Sequence, residues 1–448
     1  MSDPVIRDPY SSLRHAGFRR FLAGTFFFNV GRQGLSVAIA WQIYKWTNSA
    51  TALGLVGLVS VLPLIAFVLP AGVLADRFDR RRILMRATAA SAVLSFALVL
   101  LSAYHGTLPY AAPLRRANDC LRDIALVFER HVDPAQLHFD NPALPLIFLI
   151  LFLQAFVRVL GNPARAALVP LLVTPSAVSN AVTWSSSTFE LSTVIGPALG
   201  GFLVAATGYT SVYALDAVFS LALVGLLIGV NVPRVPAAAG PAPDTLAGLQ
   251  FIWRHQTILA AITLDLYAVL LGGAVALLPI YADRILHIGP AGLGWLRAAP
   301  AFGAITMAFL VTHLRPARRP GLLMLWSVAG FGATIIVFSL STNLWLSLFA
   351  LYLSGVCDNF SVVVRHTLVQ MKTPDALRGR VSAVNQLFIG SSNEISELRA
   401  GLAAALFGPV LAATTGGIGT ILVVAVVALA LPSLRTVPPL HTLQPEEP

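Results

Sequence analysis

The chain has 448 residues, of which 56% are hydrophobic and 11% charged, with a formal net charge of +10 and a mean hydropathy of +0.77. Soluble domains carry about 25% charged and about 45–50% apolar residues, so a soluble class is excluded and a polytopic protein partnered by the lipid bilayer is indicated. The basic residues sit in short loops between apolar runs, with no basic stripe or separate soluble domain to hold nucleic acid.

Residues 1–20 place Asp3, Pro4, Asp8 and Pro9 ahead of any apolar run. A cleavable signal would instead open with a basic segment and a short apolar core. Twelve stretches of helical spanning length follow, each near the ~20 residues a bilayer requires. They cover 18–43, 52–74, 83–104, 145–164, 179–205, 209–231, 257–281, 291–313, 321–340, 343–365, 381–407 and 411–432. The joints alternate in character. Arg14/Arg19/Arg20, Arg77 to Arg86, Arg165, Arg234/Arg254, Arg315/Arg318/Arg319, Lys372/Arg378/Arg380 and Arg435 mark one side. Ala206 to Tyr209, Ser341 to Asn343 and Gly408-Pro409 mark the other, without a basic residue. Basic loops are retained inside, which puts both termini in the cytoplasm.

Several segments interrupt this rhythm. Tyr104 to Asn141 is polar, with Leu114, Ala117, Leu121, Ile124 and Phe128 at helical spacing. It reads as an amphipathic insert on the outer rim, or else as a lid or docking element. Pro233 to Asp244 is a Pro- and Ala-rich link, followed by a short amphipathic helix at Thr245 to Arg254; Thr436 to Pro448 reads as a loose tail. Thr174-Pro175-Ser176-Ala177-Val178 recurs as Thr373-Pro374-Asp375-Ala376-Leu377, and Arg80 to Met85 recurs loosely as Arg318 to Met324. The chain thus divides into a first half over 1–232 with its insert at about 105–143, a cytoplasmic linker at 233–256, a second half over 257–435 and a tail at 436–448. Cys120 lies in a polar loop and Cys357 in an apolar run, which is no disulfide framework.

The stretch from Gly72 to Arg82 stands out. It is a short acidic-then-basic turn, Gly-Val-Leu-Ala-Asp-Arg-Phe-Asp-Arg-Arg-Arg, between two spans. No Gly-x-x-x-x-Gly-Lys-Ser/Thr loop occurs, since neither Lys45 nor Lys372 follows a glycine, so nucleotide hydrolysis is not indicated. His131 and His138 are too isolated to argue for a metal. No cofactor is implied.

Ionisable groups inside spans are costly and point to function or to a buried partner. The first span carries Asn29, Arg32 and Gln33 on one face; Arg158, Glu190, Asp216, Asp265, Arg297 and Asp358 follow on later spans. The eleventh is richest, with Asn385, Asn393, Glu394 and Glu397, the last three forming a polar stripe. A carboxylate in a low dielectric can take up a proton near neutral pH, which would couple proton and substrate movement. Asp216 and Arg297, near the outer surface, suit snorkelling or capping as well. Asp265, Asp358, Glu394 and Glu397 suit a cavity, or structural pairing with Arg32, Arg158 or Arg365. Glu190 suits coupling or cavity lining.

Three stretches carry a resemblance over about residues 10–435. They are Ser12 to Phe21, the loop with Asp76 and Arg77, and Thr373 to Asn385. On these the chain resembles the major facilitator superfamily of transporters, within it the enterobactin-exporter-like group of siderophore and drug efflux proteins. The resemblance implies an all-α membrane protein with twelve transmembrane helices in two six-helix pseudo-repeat bundles. It also implies a cytoplasmic gate of Gly72, Asp76, Arg77, Arg80, Arg81, Arg378 and Arg380. There Gly72 lets the second span lie close to the eleventh, and Asp76 faces the start of that span. The general pattern has a second glycine where this chain has Asp79. Arg158 falls where the family has an arginine tied to proton transfer. Gly196, Pro197, Gly200 and Gly201 resemble the antiporter motif of drug-efflux members, whose longer form has a glycine about where Leu191 stands.

These observations lead to a monomeric, proton-coupled exporter of small amphipathic molecules in the inner membrane, working by alternating access. The alternatives are a proton-coupled uptake symporter of a nutrient and a transport-inactive sensor. A membrane-embedded enzyme would need a nucleophile or metal constellation, and none is legible.

Overall fold

A computed structural model of the chain describes residues 8–232, 245–313 and 319–439. The Pro233–Asp244 link, Arg315 and Arg318, the tail beyond 439, and the side chains of Asp76 and Asp375 lie outside the described residues. Fourteen helices of more than one turn organise the rest. In the first part of the chain they are α1 (Ala16–Thr47), α2 (Ala50–Arg77), α3 (Arg80–Tyr104), α4 (Ala112–Phe128), α5 (Ala143–Leu168), α6 (Val178–Thr207) and α7 (Tyr209–Ile228). Later come α8 (Thr245–Arg254), α9 (Gln256–Gly272), α10 (Gly289–His313), α11 (Pro320–Leu340), α12 (Leu344–Lys372), α13 (Asp375–Phe407) and α14 (Pro409–Ala430). Among the described residues there is no strand.

Local chemistry sets the joints. Asn48, in the left-handed region at φ 56°, ends α1, and Ser49 Oγ accepts from the Ala52 amide to start α2. Asp79 Oδ1 accepts from the Arg81 and Arg82 amides, so the residue that replaces a family glycine serves as the N-cap of α3. Gly208 and Gly408 turn the chain at φ 86° and 84° between α6 and α7 and between α13 and α14.

The predicted span 257–281 is broken. α9 stops at Gly272, and Val275 to Ile285 continues as short 3-10, α and π turns. The break falls at the Gly272–Gly273 pair, where Ser396 of α13 donates to Val269 O at 2.8 Å and packs so closely on Gly273 that a β-carbon there would collide with it. The tail also starts later than predicted: Leu434 and Val437 are buried against the base of α11, beside Gly321.

Among the described residues ten helical segments are long and apolar enough to cross a membrane. The two predicted spans outside that count lie in α1 and α13, which have the length, at 32 and 33 residues. They carry the polar stripes that keep their hydropathy low.

Helices before residue 229 pack mainly with one another, α1 on α6 and α7, α3 on α5 and α7, α2 on α5. Those after 255 do likewise, α10 and α11 on α12, α14 on α9 and α11. Two seams join the groups, α2 against α13 and α6 against α10. Backbone meets backbone there. A β-carbon on Gly401 would collide with Gly54, one on Gly57 would come within 2.8 Å of Glu397 Cβ, and one on Gly201 within 2.8 Å of Gly294 Cα.

Core distribution reveals the shape. At the end of the molecule bearing α4, one continuous apolar cluster contains residues of both groups, from Leu35 and Tyr44 to Tyr281, Phe338 and Ala404. At the opposite, basic end the core splits into two, one drawn from residues 18–230 and one from 251–437. The bundle is therefore closed at the insert end and parted at the basic end.

The insert is tied into the closed end. Glu129, just past α4, is buried; its Oε1 accepts from Ser49 Oγ at 2.7 Å and from the Thr51 amide at 2.9 Å, capping α2. The Arg130 amide donates to Ala405 O on α13 at 3.0 Å, and Asn48 Nδ2 donates to Gln136 O at 3.2 Å.

Candidate functional site

Between the parted halves lies a cavity of about 540 Å³, a size suited to a drug-sized molecule. It extends from Leu53 and Ile39 near the closed end to Leu84 and Arg165 near the basic end. Its apolar wall includes Phe28, Leu151 and Phe189, while Asn29, Arg32, Arg158, Glu394 and Glu397 supply polar groups. A second cavity of about 310 Å³ lies on the side of α9 and α12, lined by Pro197, Asp358 and Asn393 among others. Gln33, Ser36 and Arg297 border both. Arg297 donates to Ser36 Oγ at 2.7 Å, so this bond joins α10 to α1 at the partition.

The arginines are held in different ways. Arg158 Nη2 on α5 meets Glu394 Oε1 on α13 at 2.7 Å, an ion pair that crosses between the groups. Arg32 Nη1 stands 3.5 Å from Asp216 Oδ2. Asp216 is fully buried, accepts from the Ser95 hydroxyl, and Ser95 in turn accepts from Gln154 Nε2 at 3.2 Å. This chain of contacts links α1, α7, α3 and α5 behind the cavity wall. Arg165 Nη1 donates to Asn29 Oδ1 at 3.3 Å, and its guanidinium carbon sits 4.7 Å from the centroid of the Phe28 ring.

In the second half, Arg365 is almost wholly buried, with Nη2 3.2 Å from Asp265 Oδ2 and Nη1 2.9 Å from Asn385 Oδ1. That triad knits α9, α12 and α13. A buried charge needs a partner, and Arg32, Arg158 and Arg365 each face a carboxylate.

The predicted residues therefore separate. Asn29, Arg32, Arg158, Glu394 and Glu397 converge on the larger cavity, and Asp358 and Asn393 on the smaller one. Asp265 faces Arg365 and lines neither. Glu190 is half-buried on α6 and also lines neither, although its neighbour Phe189 does. The predicted motif on α6 divides its labour. Gly196 and Gly200 press on α1, where a β-carbon on Gly196 would come within 2.8 Å of Val30 O, Gly201 meets α10, and Pro197 borders the smaller cavity.

At the basic end, among the described residues, no atom outside the helix's own backbone lies within 4 Å of where a β-carbon on Gly72 would stand. The close approach of α2 to α13 falls instead at Gly54 and Gly57, toward the insert end. Arg81 donates through Nε to Leu227 O at 2.9 Å and through Nη2 to Ile228 O, binding the end of α7. Arg80 Nε reaches Ala75 O, and Arg77 is exposed. Arg378 Nε donates to Gln370 O and Thr373 O at the end of α12, while the Arg380 backbone packs against Gly248 of α8.

Two further arginines, Arg165 and Arg297, line the larger cavity. The predicted span 145–164 leaves Arg165 in a loop, whereas α5 runs on to Leu168. Arg297, expected near the outer surface, is turned inward and borders both cavities. Asn162-Pro163 reads as a helix end, yet α5 runs through Pro163 and carries Arg165 with it.

Comparison with known proteins fits this geometry. The sequence profile of the Major Facilitator Superfamily matches residues 21–396. The chain belongs to this superfamily, and it is a multi-pass membrane transporter of small molecules, not an enzyme. It is 28% identical over 433 residues to the enterobactin exporter EntS of Citrobacter koseri, covering 94% of this chain and 93% of that protein. To the EntS of Shigella boydii it is 26% identical over 425 residues, with the same coverage.

Among solved structures it is similar to a bacterial homologue of the human lysosomal transporter Spinster, in an inward-facing, unoccupied conformation. That match has a TM-score of 0.67 at 13% identity, over 98% of this chain and all of the other. A bacterial homologue of the iron transporter ferroportin, inward-facing, gives 0.62 at 17% identity over 95% and 99%. These likenesses concern the fold.

Proposed function

We propose that the protein is a proton-coupled exporter of small amphipathic molecules, siderophores among them, acting as a monomer in the inner membrane. The carrying observation is the Arg158–Glu394 pair, which ties α5 of one half to α13 of the other inside the cavity. A proton on Glu394 removes the charge that Arg158 grips. The same event thus delivers a proton and loosens the contact between the halves. Glu397, three residues on, lies against the same space and is the second candidate carrier. Glu190, Asp265 and Asp358 complete the reserve of carboxylates.

Retention of basic loops inside supports a cytoplasmic basic end, with both termini there. The structure then corresponds to the state open to the cytoplasm, where an exporter loads. The two halves, 1–232 and 257–435, rock about the glycine seams, and the gate of Gly72, Asp76, Arg77, Arg80, Arg81, Arg378 and Arg380 forms when the basic end closes. Both named relatives are exporters, which supports this direction over uptake.

Everted vesicles with an acidified interior provide the test. Accumulation of a siderophore, dye or antibiotic is expected with the wild-type chain. Glu394→Gln is expected to abolish the dependence on the pH gradient while leaving exchange of substrate across the membrane. Accumulation indifferent to the gradient in the wild-type chain defeats the coupling; accumulation only in right-side-out vesicles establishes uptake instead.

A further inference from the structure

The charges around the larger cavity do not cancel. Four arginines and two glutamates line it. Arg32 is matched by Asp216 behind the wall and Arg158 by Glu394. Arg297 donates to Ser36 Oγ at 2.7 Å and shares the cavity lining with Glu397. Arg165 is left over. Its polar contact is the neutral Asn29 amide oxygen, its ring contact is Phe28, and its Nε is buried without a hydrogen-bond partner. Among the described residues no carboxylate forms an ion pair with it.

An isolated guanidinium in a largely apolar setting is expensive unless something negative completes it. The guanidinium fork suits an oxyanion, which it can hold through two parallel N–H donors. Phe28 and Asn29 fix the guanidinium from one side, so less freedom is lost when an anion docks. Phe28, Leu84 and Phe189 offer an apolar surface around the same space.

We infer that the cavity selects amphipathic anions, an aromatic or apolar body bearing a carboxylate or another two-oxygen anionic group, with the anionic oxygens seated on Arg165. This rests on the reading of the cavity as the substrate site and names the class of molecule that it takes. Arg165 becomes the residue that sets charge preference, distinct from the Arg158–Glu394 pair assigned to coupling. The anion also leaves Glu394 free to carry its proton, because it has a cation of its own.

The test uses purified full-length protein in neutral detergent, with no gradient. Equilibrium binding is measured by fluorescence polarisation with fluorescein, an anion, and rhodamine 123, a cation on the same tricyclic skeleton. Fluorescein is expected to bind about tenfold or more tightly than rhodamine 123, and Arg165→Gln to weaken fluorescein about ten- to a hundredfold without weakening rhodamine 123. Arg165→Lys should recover part of the loss, and Arg116→Gln on the exposed insert should change nothing. Equal binding of the two dyes by the wild-type chain overturns the inference even if Arg165 variants fail to fold. Unaltered fluorescein binding by a folded Arg165→Gln overturns it too. Charge-selective binding without gradient-driven transport would leave this inference standing and remove only the proposed coupling.

Discussion

The most exacting prediction concerns Asp216, a fully buried carboxylate that holds Arg32 and Ser95. Asp216→Ala leaves the Arg32 guanidinium facing a void, and Nη1, the nitrogen closest to the acid, has no hydrogen-bond partner apart from that ion pair. Removing one partner of a buried pair costs about 3–5 kcal/mol. The Arg32 side chain keeps 22% of its surface open to the cavity, which lets water screen it. We therefore expect the low end, about 3 kcal/mol, or roughly a hundredfold in the unfolding equilibrium. Asp216→Asn keeps the volume and an acceptor for Ser95, so about half that loss is expected. Tryptophan fluorescence during unfolding in dodecyl sulfate mixed micelles reads the equilibrium; the chain has 7 tryptophans. The double variant Arg32→Gln/Asp216→Asn should be more stable than the sum of its singles by about 1–3 kcal/mol, as contacting pairs are. Strict additivity, or an Asp216→Ala protein as stable as the wild type, would refute the reasoning.

Other outcomes follow from the same geometry. Gly401→Val places a side chain where Gly54 already stands, so the insert end should no longer close. Transport should fall at least about tenfold, and a cysteine placed at Lys45 should label faster with a membrane-impermeant maleimide. Gly72→Leu meets open space here and should change unfolding by less than about 0.5 kcal/mol while blocking transport, because it obstructs only the closed basic end. Wild-type transport rates in that variant would remove Gly72 from the gate. Glu129→Ala strips two hydrogen bonds from the buried α2 terminus and should cost about 1–3 kcal/mol, seen as faster proteolytic nicking between 105 and 143.

Much of this architecture was legible in the sequence because a bilayer demands long apolar runs, and the loops between them declare their side. The insert helix was legible too, from Leu114, Leu121 and Phe128 at helical spacing. The polar stripe of α13 could be read as a unit because Asn393, Glu394 and Glu397 share one face of one helix. Its partner could not. Arg158 lies 236 positions away from Glu394, and only the packing of α2, α5 and α13 brings the two together. Asp216 was misjudged by depth: distance from a helix end says nothing about neighbours, and α1 and α3 cover it. Glu129 gave no signal at all, since one acid in a polar segment looks like any solvated charge. The break after Gly272 had a local mark in the Gly272–Gly273 pair, but the close packing of Ser396 against it comes from another helix.

The seams have a further consequence. Where the halves touch most closely they do so through glycines, with main chain against main chain and almost no side chain between. Travel is thus written into the positions that carry nothing, and choice of cargo into the cavity wall a few ångströms away. The two can drift independently. Recasting Arg165, Phe28 or Asn29 would retune what is carried without altering how the carrier moves, whereas a single methyl group at Gly401, set against the main chain of Gly54, would hinder the motion for every cargo alike.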